Sequence, residues 1–199
     1  MKINWKYPKP RSGFKGFIDK LSGPGATVAE YWIQFGFAIG MALVMLAYIF
    51  VTNLEWNGWQ IFVAVYLAFD ICGGIATNAT SSAKRFWHRK ERQHFKNDAT
   101  FIVAHFYMPL LITLAFPVGW TFFFVVYGYL LLAGFVIAAT SLYLRRVVAF
   151  MMYCGALLMA MFVFVMPHGL EWFIPFFYLK LLMSHLPIEE PYRPEWEKK

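Results

Sequence analysis

Between Val28 and Leu186 the chain passes through successive apolar stretches separated by short polar breaks and one longer basic loop, Ser81 to Asn97. Most are long enough for membrane-spanning helices, which need roughly 17–25 residues. A soluble fold could not hide this much apolar surface, because 60% of the 199 residues are hydrophobic and only 15% are charged. Soluble domains average about 45–50% and about 25%. The sequence therefore predicts an all-α, polytopic membrane protein, a bundle of six helices over about 28–52, 58–80, 98–116, 120–140, 147–166 and 170–186. The last is short and carries Pro175 and Lys180, so a tilted, kinked or partly re-entrant helix is expected there. A basic segment (1–27) precedes the bundle and a polar tail (187–199) follows it.

The net charge of +7 sits where topology requires it, not where nucleic acid would be bound. Of the 18 Lys and Arg, six precede the first span, six lie between spans 2 and 3, two follow span 4 and three lie in the tail. The three opposite loops carry none, and the remaining one is Lys180. The positive-inside rule then places both termini in the cytoplasm. Trp56, Trp59, Trp120 and Trp172 mark the outer boundary as an aromatic belt. Membrane lipids and membrane-protein partners are expected, nucleic acid is not, and no cofactor is indicated.

Before the first span, Phe14, Phe17, Ile18 and Leu21 recur at helical spacing opposite Lys15, Asp19 and Lys20. This pattern predicts a short amphipathic helix in the headgroup region. Gly23-Pro24-Gly25 ends it, and no cleavable signal peptide is expected in this polar start. Thr27 and Glu30 form a capping box for span 1, and Gly36 and Gly40 a GxxxG for close helix approach. Asp98 is the expected N-cap of span 3, and 141–146 a short link. Cys72 and Cys154, both inside apolar runs, are expected in the core.

Span 2 carries the chemistry. Asp70, Gly73, Gly74, Thr77, Asn78 and Ser81 follow one helical stripe. Asp70 lies about 15 Å from the inner end, near the midplane. A carboxylate there costs at least ~2.5–3.5 kcal/mol, so it must face the interior and find a partner. Lys180 and His105 are the candidates at matching depth, with snorkelling to the headgroups the alternative for Lys180. His88, His94, Asp98, His185, Glu189 and Glu190 extend the polar set toward the cytoplasm. Imidazole and carboxylate together could hold a divalent metal, but no HxxxH, HExxH or ExxH spacing occurs, and no metal is assigned. The segment from His88 to His94 reads more simply as a solvated strip against anionic lipid, anchored by Trp87. Walker A, GxSxG, GxGxxG and His-box motifs are absent.

Polar residues concentrate in the inner halves of the spans, as a site entered from one side requires. Three readings follow. In the first, a pocket open to the cytoplasm takes a lipid or amphiphile, as enzyme or binding protein. Asp70, His105, His88 and His94 would do acid–base work, and Asn78, Lys180, Arg85, His185, Gly73 and Gly74 would hold the substrate. The second is a small transporter or channel with Asp70 as proton or cation site. The third is an accessory subunit of a larger membrane complex.

Overall fold

The structure is a computed structural model that describes residues 2–193; the end of the expected tail, 194–199, lies outside it. Helix α1 (Gly13–Ser22) is followed by α2 (Val28–Val51), α3 (Gly58–Ala79) and α4 (Ser81–Trp87), a short 3-10 turn (Lys90–Arg92), then α5 (Phe95–Ala104) and α6 (Tyr107–Ala115). Helices α7 (Gly119–Ala139), α8 (Leu142–Phe162) and α9 (Phe173–Tyr178) follow, and α9 continues as a π-helix over Leu179–His185. Strands β1 (Lys2–Ile3) and β2 (Tyr192–Arg193) pair antiparallel, which ties the two ends of the described chain together. Among the described residues, five helical stretches are long and apolar enough to cross a membrane: α2, α3, α5 with α6, α7 and α8. The helix α9 with its π-extension is shorter and occupies the centre. Phe173, Ile174, Phe177, Tyr178, Leu181 and Leu182 are all fully buried there.

Capping chemistry sets several boundaries. The Thr27 hydroxyl accepts from the Glu30 amide at 3.0 Å while Glu30 accepts from the Thr27 amide at 2.7 Å, the expected capping box. Asn57 and Gln60 repeat the motif at the start of α3. The third long stretch is not continuous. It breaks at His105 and Phe106, because Pro109 lacks an N–H and its ring collides with the carbonyl four residues earlier, that of His105. Asp98 is not a cap either. The helix begins at Phe95, and Asp98 instead receives a 3.1 Å bond from Arg145. Arg145 also donates to the Ala138 carbonyl at 2.9 Å, which closes the end of α7. The expected link 141–146 is accordingly the first turn of α8, which starts at Leu142 and ends at Phe162 rather than 166.

Packing departs from expectation on α2. A Cβ on Gly36 or Gly40 would meet nothing within 4 Å, so the GxxxG faces away from the bundle. The close approach uses Gly73 of α3 instead, where a Cβ would lie 2.9 Å from the Ala38 Cβ. Small residues at such crossings let backbones approach. Cys72 is buried as expected, whereas Cys154 is exposed on α8.

Helix α1 docks by the face that carries Gly16, Asp19 and Ser22, while Lys15 and Lys20 stay exposed. Asp19 is buried and takes a bidentate pair of bonds from the Arg11 guanidinium, at 2.7 and 3.0 Å. Phe14 and Phe17 are exposed on the other side. Gly23 has φ of +83°, and a Cβ there would overlap the Ser82 carbonyl, so only glycine permits this contact. Gly73→Val should therefore lower the thermal unfolding temperature of the detergent-solubilised protein by several degrees. Gly36→Ala should leave it unchanged.

Candidate functional site

The stripe of α3 lines a cavity of about 250 Å³. Asp70, Gly73, Gly74, Thr77 and Asn78 form one wall, while Gln34, Phe35 and Ala38 of α2 face them. Lys20, Leu21 and Ser22 of α1 border it at the Asn78 end, with Phe101, Trp87, Lys180 and His185 completing the surround. Ser81, expected on the stripe, has left it. The helix ends at Ala79 and Thr80 turns to extended backbone (ψ 149°).

At the deep end Lys180 Nζ lies 3.0 Å from Asp70 Oδ1, and the Tyr107 hydroxyl donates to Asp70 Oδ2 at 2.6 Å. Both carboxylate oxygens are thus engaged. Lys180 does not snorkel, since it is only 4% exposed. The π-helix explains how it reaches. Its wider turn, closed by i→i+5 bonds, sets Lys180, Ser184 and His185 toward α3. Ser184 donates to the Ile75 carbonyl at 2.6 Å, and His185 Nδ1 lies 3.4 Å from Asn78 Oδ1. Gly74 supplies the space, because a Cβ there would overlap the Lys180 side chain.

His105 does not join Asp70. Its Nδ1 lies 2.6 Å from the Phe101 carbonyl, and its ring is the second in a column of five. The column runs Tyr107, His105, Phe101, His185, His88, with centroid separations of 6.0, 4.3, 3.4 and 5.4 Å. His88 is buried at the end of α4, and His94 is exposed on the loop and does not border the cavity. Arg85 is buried, with its guanidinium 3.5 Å from the Gly25 carbonyl, and is not in the cavity wall. The four residues expected to do acid–base chemistry therefore do not converge on one point. Among the described residues, no three of His, Cys, Asp and Glu are grouped to hold a metal ion.

The basic segment after α3 is less solvated than its composition suggests. Lys84 is buried and donates to the carbonyls of Ser184 and Pro187 at 2.8 and 2.9 Å, capping the end of the π-helix. Burial pushes its ammonium down to about 8, against the opposing pull of Glu189 at 3.9 Å. Burial, and then the charges of Lys84 and Arg145, hold His88 down to about 3. Arg92 packs over Trp87, and Arg89 over Phe86 and Tyr7.

Sequence reasoning missed Tyr107 as the second partner of Asp70. It also missed Ser22, whose place in the cavity depends on how α1 docks. The depth of Tyr107, two residues past His105, was the available signal. Comparison with family models, with curated proteins and with solved structures returned no match.

Breaking a buried ion pair by removing one partner costs about 3–5 kcal/mol, because the other charge is left uncompensated. Asp70→Leu should therefore strongly lower the unfolding temperature, and adding Lys180→Met to it should restore most of the loss. His88 gives a pH signature. Its folded value of about 3 lies below the ordinary 6.5, so the unfolded chain takes up a proton that the folded chain refuses. Stability should fall as pH drops from about 6.5 toward 3, and His88→Phe should flatten that part of the pH–stability curve.

Proposed function

We propose that the protein is a six-span membrane protein that binds a lipid or other amphiphile in this cavity, entered from the cytoplasmic side. The single observation that carries the reading is the α3 stripe. Its polar groups line a cavity whose deep carboxylate is paired with the Lys180 ammonium and hydrogen-bonded by Tyr107. The remaining wall is largely aromatic and aliphatic, including Phe35, Phe69, Phe101, Trp87 and Leu21. Such a mixture, apolar with a few placed polar groups, is what amphiphile sites present, and the volume approaches the ~300–1,000 Å³ of small-molecule pockets.

The pairing of β1 with β2 supports an even number of crossings, since it holds both tails on one side. Five long stretches then need a sixth passage, which α9 and the π-helix supply as a short central one. The Lys and Arg distribution supports a cytoplasmic location for that side. The outward apolar face of α1 supports its lying in the headgroup layer.

Binding is favoured over catalysis because His105, His88 and His94 do not surround a common point. It is favoured over transport because Asp70 already holds the Lys180 ammonium and the Tyr107 hydroxyl. Native mass spectrometry of the protein released from gentle detergent tests the reading. A co-purifying amphiphile of fixed mass should be retained by the wild type and lost from Thr77→Phe, which fills the cavity. Equal adduct patterns in both would overturn it.

A further inference from the structure

A second cavity, of about 330 Å³, shares no residue with the first. It lies along the last two turns of α2, at the end of the bundle opposite α4. Helices α2 and α9 each lie against α3, and the cavity is the gap left between them. Its base is made of small residues. Ala68 and Cys72, one turn apart on α3, and Gly169, at a φ of +93°, are all buried there. The open side differs, because Met41, Val44, Tyr48, Trp172 and Phe176 border the cavity and keep exposed surface, Val44 at 59%. From Met41 to Tyr48 this is an apolar track of about 10 Å on a helix of membrane-spanning length. A hydrocarbon chain fits such a track, and the flexible Met41 side chain can adapt to its shape.

The polar groups of this cavity gather at its loop end. Glu171 Oε1 lies 3.1 Å from His168 Nδ1, and Glu171 Oε2 accepts from the Gly169 amide at 2.8 Å. The Tyr48 hydroxyl lies 3.4 Å from His168 Nε2. A carboxylate has room for about four donors, and the Glu171 side chain is 58% exposed, so it can take another. The charge around it is one-sided. Trp56 packs on Phe116 at 5.0 Å and Gly169 lies against Leu54 and Trp56, which brings segments 52–57, 116–118 and 163–172 to one end. These segments carry Glu55 and Glu171 and no Lys or Arg. An anionic head finds no partner among them, whereas an ammonium finds a carboxylate. A choline head brings the charge without an N–H, and a primary ammonium brings both, as a charge-assisted bond requires. Trp172, at the same mouth, is the residue type that sits at headgroup depth.

We propose that this second cavity seats one chain of an ethanolamine phospholipid whose ammonium donates to Glu171. The chain lies along Met41, Val44 and Phe176, and the phosphate faces water at the rim. The site stands apart from the first cavity and from whatever that cavity binds.

The test is native mass spectrometry of the full chain released from nanodiscs that hold three dioleoyl lipids in equal parts. These are phosphatidylethanolamine, phosphatidylcholine and phosphatidylglycerol. Val44→Trp puts a larger side chain at an exposed position over the cavity. It should remove one retained phosphatidylethanolamine and leave the unfolding temperature unchanged. Glu171→Gln should keep a lipid at the site but erase its preference for the ethanolamine head, about three-fold in the wild type. Thr77→Phe, in the first cavity, should leave that preference intact. Phosphatidylethanolamine enrichment that survives both Val44→Trp and Glu171→Gln would overturn the proposal. So would equal retention of the three lipids, or a lipid removed by Val44→Trp that is not phosphatidylethanolamine. Enrichment lost from Thr77→Phe and kept in Val44→Trp would move the lipid to the first cavity, and so overturn the second site while sparing the first.

Discussion

A carboxylate placed in the middle of an apolar bundle needs compensation, and much of the architecture around α3 serves that need. Asp70 is satisfied by an ammonium from the π-helix and a phenol from α6, two elements far apart in sequence. For the ammonium to arrive, Gly74 must lack a side chain and the last helical segment must widen its turn. The phenol comes from the first residue of α6, directly after the break at His105 and Phe106 to which Pro109 contributes. Replacing a buried pair by apolar residues is often tolerated or stabilising, so the pair is weak evidence for stability as such. Its value here is positional, because it fixes the floor of the cavity.

At the other end of the same wall, a polar knot joins three chain segments. Glu30 closes the capping box of α2 and also accepts from the Ser82 amide of α4 at 2.8 Å. Gln34 and Ser82 both reach the Ser22 carbonyl that ends α1. Helix α1 is thus a wall of the cavity rather than a loose appendage, and its docking rests on hydrogen bonds rather than apolar burial. That choice leaves Phe14 and Phe17 exposed on the outer face.

The long helices and the capping box were legible because length, hydropathy and cap chemistry are local properties. The α3 stripe was legible for the same reason, since a period of 3.6 places its residues on one face without knowledge of neighbours. Partner choice was not local. The sequence offered Lys180 and His105 for Asp70, and only the fold could select Lys180 and add Tyr107. Past its first residue the strip from His88 to His94 is exposed or half-buried, as its composition suggests, but nothing local showed how the chain just before it turns. Lys84, Arg85 and His88 are turned inward, where Lys84 caps the π-helix. The GxxxG of α2 misled, promising a contact that Gly73 makes instead.

The order of the helices along the chain constrains how the bundle is assembled. The segment at its centre, Phe173 to His185, comes after all five long helices, yet its side chains fill the space between α3, α7 and α8. Until it arrives, those helices enclose an unfilled middle, and Asp70 lacks its counter-charge. A nascent bundle of this kind is a vessel waiting for its plug, and the pairing of Ile3 with Tyr192 is a latch that can close only once the plug segment has been made.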